Sequence, residues 1–195
     1  MVSIKRQQII DAATKVFAEK GYQDTKIDEV ASRADVAKGS VYLYFKSKEE
    51  LFEEMMKDGV RKYKEVKLNA LNQNLSFYEK LKLMLKRETE FLWENQEVAR
   101  FLLTSDVVTQ QALADCLIEI RKTFMDRLQE EFEKAIDDGL VKPGDSLLYT
   151  RIFRGVEHQV IAYHIIIDKH KPSEDMIKQS LEALTHGIFE SSTVN

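Results

Sequence analysis

Apolar residues recur at three- and four-residue intervals along almost the whole chain, the spacing of one face of an α-helix. Ile9, Ile10, Ala13, Val16 and Phe17 mark the first face, and Gly21 stands where that helix should end. Thr25 with Asp28 three residues on resembles a capping box and predicts a short second helix, with Ile27, Val30, Ala31 and Ala34 turned inward. A third short helix follows Val36 and runs to about Phe45. Ser47 and Glu50 form an S-x-x-E box opening a longer helix that carries Leu51, Phe52, Met55 and Met56 and continues towards Val66. Gly59 inside it costs about 1 kcal/mol relative to Ala. Ser76 and Glu79 repeat the box and predict a helix to about Glu94, followed by a shorter segment from Val98 to Leu103. A long helix from about Gln110 to Asp138 carries Leu113, Leu117, Ile120, Phe124, Leu128, Phe132 and Ile136. Gly139 ends it, Pro143-Gly144 is a loop, and Asp145 caps a helix to about Asp168. Pro172-Ser173, with Glu174 and Asp175 behind it, starts the last one. No stretch alternates with the two-residue period of a strand, so the expected fold is all-α with about nine helices.

Composition narrows the class. The 195 residues are 44% hydrophobic with only two prolines, which supports a packed core and excludes disordered and collagen-like chains. A net charge of −4 argues, taken globally, against a phosphate-rich partner. The distribution reverses that inference: residues 1–48 hold nine Lys and Arg against six Asp and Glu, a head of +3 on a body of −7. A single cysteine, Cys116, cannot close an intramolecular disulfide. The N-terminus has no apolar signal core, and the most apolar run, Val160 to Ile167, is too short to span a bilayer. The expectation is a cytoplasmic protein with no membrane partner.

The three N-terminal helices carry the most information. Helices two and three joined by a tight turn describe a helix-turn-helix unit at about residues 26–45. Ala31 is small where the two helices cross. Val36 and Val41 plug the gap, and Val30 and Phe45 close a core covered by Val16 and Phe17. Lys38, Ser40, Tyr42, Leu43 and Tyr44 are left as candidates for an outer face. Lys38, Gly39 and Ser40 lie at a helix start that attracts phosphate.

The run from Gly21-Tyr22 through Thr25, Ile27, Val30 and Ala31, then Val36 to Leu51, resembles the DNA-binding signature of the TetR family of transcriptional regulators. The resemblance implies that helix three is a recognition helix in the major groove. It further implies that Lys38, Tyr42, Tyr44 and Lys48 hold the phosphate backbone, with Thr25 and Lys26 at the start of helix two. Gly39, Ser40 and Leu43 then approach base edges. Asp35 departs from the family, which often has Gly at the turn, and predicts local strain. The implied organisation is a DNA-binding domain over 1–48 and a regulatory and dimerisation domain over 49–195, connected by the helix at about 47–66. The implied function is a repressor that binds a palindromic operator as a homodimer and is released by a small-molecule effector. Half-sites about 34–36 Å apart make affinity sensitive to the separation of the two heads.

The body is less specific. The last two helices are apolar on more than one face, which suits a homodimer interface, with Gly155 allowing close approach. Phe91 and Phe124 belong to an apolar inventory for a cavity taking an apolar or amphipathic effector. Arg151, Arg154 and His158 sit on a helix that could frame it. Arg151 and Arg154 share a face suited to an anion, or else pair with Glu157 or acids of the long helix. The four histidines lack metal-ligand spacing and no phosphate loop is present, so no metal, cofactor or catalytic residue is expected. A helical enzyme or an interaction adaptor without DNA binding is the alternative.

Overall fold

The computed structural model describes residues 4–103 and 111–186, with the side chains of residues 111–113 and Cys116 excepted. The expectation for the Leu113 side chain therefore lies outside the described residues. Among the described residues there are nine α-helices and no strand. They form two compact units, residues 1–62 with 95–118, and residues 63–94 with 119–195.

The first unit holds α1 (Ile4–Asp24), α2 (Ile27–Arg33), α3 (Lys38–Tyr44), the first part of α4 (Lys48–Leu71) and α6 (Gln96–Leu103). Ile9, Ile10, Ala13, Val16 and Phe17 are all buried, as their spacing predicts, with Val30, Ala31, Val41, Phe45 and Leu51 closing the core. Phe17 stacks on Tyr22 at 6.0 Å, and both meet the edge of Phe52 at 5.0–5.1 Å. Gly21 has φ 74° and ψ 173°, a region reached almost only by glycine, and it breaks the first helix as expected. Gly59 has a packing reason: a Cβ there would lie 2.5 Å from Cγ2 of Val98 on α6. The segment from Val98 to Leu103, placed by sequence in the body, instead packs on α1, because its Val98, Ala99 and Leu102 supply apolar cover.

The N-terminus of α2 differs from expectation. Thr25 is not the cap. Its buried hydroxyl donates to the carbonyls of Gly21 at 2.8 Å and Val16 at 3.4 Å, tying the end of α1 to the start of α2. The helix begins one residue later, and the Glu29 carboxylate accepts from the Lys26 N–H at 3.3 Å. Ser47 does cap α4, its hydroxyl accepting from the Glu50 N–H at 3.1 Å.

The second unit holds the rest of α4, α5 (Phe77–Glu94), most of α7 (Gln111–Asp137), α8 (Ser146–Ala162) and α9 (Glu174–His186). Phe132 of α7 meets Phe77 at 5.0 Å and Phe153 of α8 at 6.0 Å, and α9 packs on α5 and α8. Asp145 caps α8 as predicted, accepting from the Leu147 and Leu148 N–H groups at 2.9 and 3.2 Å. The α-helix ends six residues earlier than Asp168. Tyr163–Ile167 forms a π turn in which the Asp168 N–H reaches the Tyr163 carbonyl, where three consecutive β-branched residues crowd an α-helical path. One face of α8 is exposed: Leu148, Ile152, Gly155 and, beyond it, Tyr163 and Ile167.

Candidate functional site

The first unit presents a compact outer face on α3. Val41 and Phe45 are buried, and this forces Tyr42 and Leu43 outward, with Leu43 84% exposed. Lys38 and Gly39 are exposed beside them, and Ser40 and Tyr44 are half-buried. Lys38 donates to Asp28 of α2 at 2.9 Å, and that carboxylate holds the ammonium above its ordinary pKa. The turn before α3 carries Asp35 at φ 52°, the left-handed conformation its place in the sequence demands.

Two predicted contacts are committed elsewhere. The Lys48 ammonium donates to the main-chain carbonyls of Gln23 and Thr25, both at 3.0 Å, and lies 4.6 Å from the Tyr22 ring centre. It fastens α4 to the link between α1 and α2. The inward Thr25 hydroxyl leaves only that residue's main chain for a phosphate. Lys26, exposed at the N-cap of α2, is free of such a commitment through its side chain to the core.

The second unit has a feature of another kind. Lys67 of α4, Glu88 of α5 and Glu157 of α8 are each at most 3% exposed. The Lys67 ammonium lies 2.8 Å from Glu157 and 2.9 Å from Glu88. Arg154 pairs with Glu157 and lies 3.8 Å from Glu88. The Tyr63 hydroxyl donates to Glu88 and accepts from Lys67 at 3.3 Å. Both cations lie over the Phe124 ring, at 4.1 Å for Lys67 and 5.2 Å for Arg154.

Burial and the Arg154 charge bring the Lys67 ammonium down to about 7, against the pull of Glu88. Burial acts to raise the Glu88 carboxyl, but Lys67 and Arg154 outweigh it and hold it below its ordinary value. Burial and the Glu88 charge push the Tyr63 phenol well up.

Of the residues expected around an effector, the structure brings Phe124 and Arg154 together. Phe91, half-buried, has its ring 6.1 Å from that of Tyr63. His158 is half-buried on α8. Arg151 is exposed while Arg154 turns inward, so the two do not converge on one anion. The inward turn follows from Glu157, three residues on, which is buried and needs a cation. Sequence reasoning missed Tyr63, Lys67 and Glu88. The signal was there: each falls in phase with an apolar stripe, Lys67 four residues after Tyr63 and Glu88 between Leu85 and Leu92. Among the described residues no group of acids, histidines and cysteines fits a metal ion, and no helix is long and apolar enough to cross a membrane.

Residues 9–55 match the family model described as bacterial regulatory proteins, tetR family. The HTH-type transcriptional regulator YhgD of Bacillus subtilis strain 168 is 30% identical over 145 residues, 74% of this chain and 76% of that protein. The fatty acid metabolism regulator protein of the same organism is 28% identical over 192 residues, covering 94% of this chain and 95% of that protein. The crystal structure of the transcriptional regulator FadR from Bacillus subtilis in complex with stearoyl-CoA superposes with a TM-score of 0.73. It is 27% identical, with 94% of this chain and 99% of that chain covered.

Proposed function

The chain belongs to the TetR family of helix-turn-helix transcriptional regulators, and from that premise we propose that it is a cytoplasmic repressor released from a palindromic operator by a long-chain acyl thioester. The observation that carries the DNA reading is the outer face of α3, where Lys38, Gly39, Tyr42 and Leu43 stand clear of a core that Val30, Val41 and Phe45 hold rigid. Lys38 and Lys26 hold phosphates, with Tyr42 and Tyr44 beside them, and Lys38 exchanges Asp28 for the duplex as it binds. Lys48 and Thr25 act mainly by seating α2. Gly39, Ser40 and Leu43 reach base edges. Residues 1–48 serve as the DNA-binding domain and residues 49–195 as the regulatory one.

The homodimer forms through the last two helices. The exposed apolar row of Leu148, Ile152, Tyr163 and Ile167 supports this, and Gly155 in the middle of it has nothing within 4 Å of where a Cβ would stand. The stearoyl-CoA complex of a relative with 27% identity over nearly its full length supports the effector class. The charged cluster around Phe124 is the polar part of that effector site. Since α4 is one helix from Lys48 to Leu71, it offers a continuous path from Lys67 to the residues that seat α2.

The experiment is a salt series of binding to duplex from the chain's own upstream region, with and without stearoyl-CoA. The expected result is a steep negative slope of log affinity against log salt, and release on adding the thioester. Absence of salt-sensitive binding to any member of a randomised duplex pool would sink the DNA reading.

A further inference from the structure

The helix α3 has few chemical means of reading a base. Its seven residues, Lys38 to Tyr44, include no arginine, asparagine, glutamine, aspartate or glutamate. With lysine, those are the side chains that reach the hydrogen-bonding edges of guanine, adenine or cytosine most selectively. Lys38 is the one lysine of the helix; it stands at the first position, and Asp28 holds its ammonium. Val41 is buried, and the remaining polar groups are the hydroxyls of Ser40, Tyr42 and Tyr44. A hydroxyl both donates and accepts, so it separates one base from another only weakly.

What the helix does project is apolar. Leu43 is 84% exposed, more than any other large apolar side chain among the described residues. It follows Gly39 by four residues, so the two share a face, and a helical side chain leans over the turn before its own. That turn is bare: nothing lies within 4 Å of where a Cβ on Gly39 would stand. The isobutyl group therefore projects without a side chain at Gly39 to shield it. Exposed cations stand at both ends of this face, Lys38 at the start of α3 and Lys46 just past its end.

The major groove offers one apolar group on its base edges, the C5-methyl of thymine. Against the edge of cytosine or guanine, Leu43 would take water from a donor or acceptor and bond nothing in return. Against thymine it packs methyl on methyl and both leave water. Resting on the DNA-binding reading above, we propose that each operator half-site holds a thymine whose C5-methyl packs on Leu43, and that this contact sets the base preference at that position. Gly39 lets the helix backbone approach closely enough for the short leucine to reach it.

The test first selects duplexes from a randomised pool with the full chain. Each thymine of the selected half-site is then replaced in turn by deoxyuridine, which removes the methyl and keeps every hydrogen-bonding group. Affinities are measured by fluorescence anisotropy at fixed salt for wild type and Leu43→Ala. At one thymine the wild type is expected to bind the uracil duplex about fourfold more weakly, the effect of burying one methyl. Leu43→Ala is expected to bind the thymine and uracil duplexes equally, without lowering the melting temperature of the free protein. A wild type indifferent to every replacement overturns the proposal, as does a uracil penalty that persists undiminished in Leu43→Ala. If no duplex of the pool is bound with salt sensitivity, the DNA reading itself falls and takes this contact with it. If binding and its salt slope are present while the methyl has no effect, only this inference fails.

Discussion

In the first unit the ion pairs Lys20–Glu29, Arg33–Glu19 and Lys38–Asp28 lie on the surface, over a core of Ile9, Ala13, Val16, Phe17, Val30, Val41 and Phe45 that holds no charge. In the second unit Lys67, Glu88 and Glu157 sit inside the core itself. A surface pair contributes little and is easily exchanged for another partner, whereas a buried one is hard to break but need not stabilise the fold. The head thus carries its charges where they can change partners without disturbing the core beneath them. The body carries interior charges that only a compensating change can rearrange.

Replacing Lys67 by Met tests the contrast most severely. Two buried carboxylates lose their common cation, and the expected loss is about 3–5 kcal/mol, read from urea denaturation. A loss below 1 kcal/mol would mean the cluster is already wet. The same variant should change the pH profile. Folding holds the Glu88 carboxyl below its ordinary 4.5, so its contribution is present above that value and fades as pH falls through the lowered one. Folding lowers Lys67 from 10.5 to about 7, so the cost of keeping it charged is fully present below 7 and is relieved as pH rises towards 10.5. Wild-type stability should therefore climb between pH 7 and 9, and the climb should flatten in Lys67→Met.

On the head, Gly59→Ala forces a methyl to within 2.5 Å of Val98. Overpacking of about 1–3 kcal/mol, less the gain of about 1 kcal/mol in helix propensity, predicts a net loss in the thermal midpoint. No loss would show that α6 shifts easily against α4. Asp35→Ala should cost about 1 kcal/mol, because alanine tolerates φ 52° less well than aspartate, and Asp35→Gly should not destabilise. Lys38→Ala should be the mildest for folding, with an unchanged urea midpoint, while the salt slope of DNA binding falls by about 1. A stability loss there would contradict the view of the head's charges as exchangeable.

Much of this architecture was legible in the residue order. Helix ends were readable at Gly21, Ser47 and Asp145, because caps are local chemistry. The outer face of α3 was readable too, since burying Val41 and Phe45 leaves Tyr42 and Leu43 only one direction to point. Thr25 misled because its hydroxyl had two local choices, and the end of α1 took it. Arg151 and Arg154 looked alike by spacing, but only a neighbour in space could separate them.

The sequence by itself determined the all-α class, most helix boundaries to within a few residues and the outward face of α3, all of which rest on interactions between residues close along the chain. Only the tertiary structure decided that Val98 to Leu103 covers α1, that Gly59 makes room for Val98, and that Lys67, Glu88 and Glu157 meet. Those partners lie tens of residues apart, Lys67 and Glu157 by ninety, and nothing in a residue's own neighbourhood encodes which distant helix will face it. The polar residues on the apolar stripes were visible as exceptions; the packing made them one site.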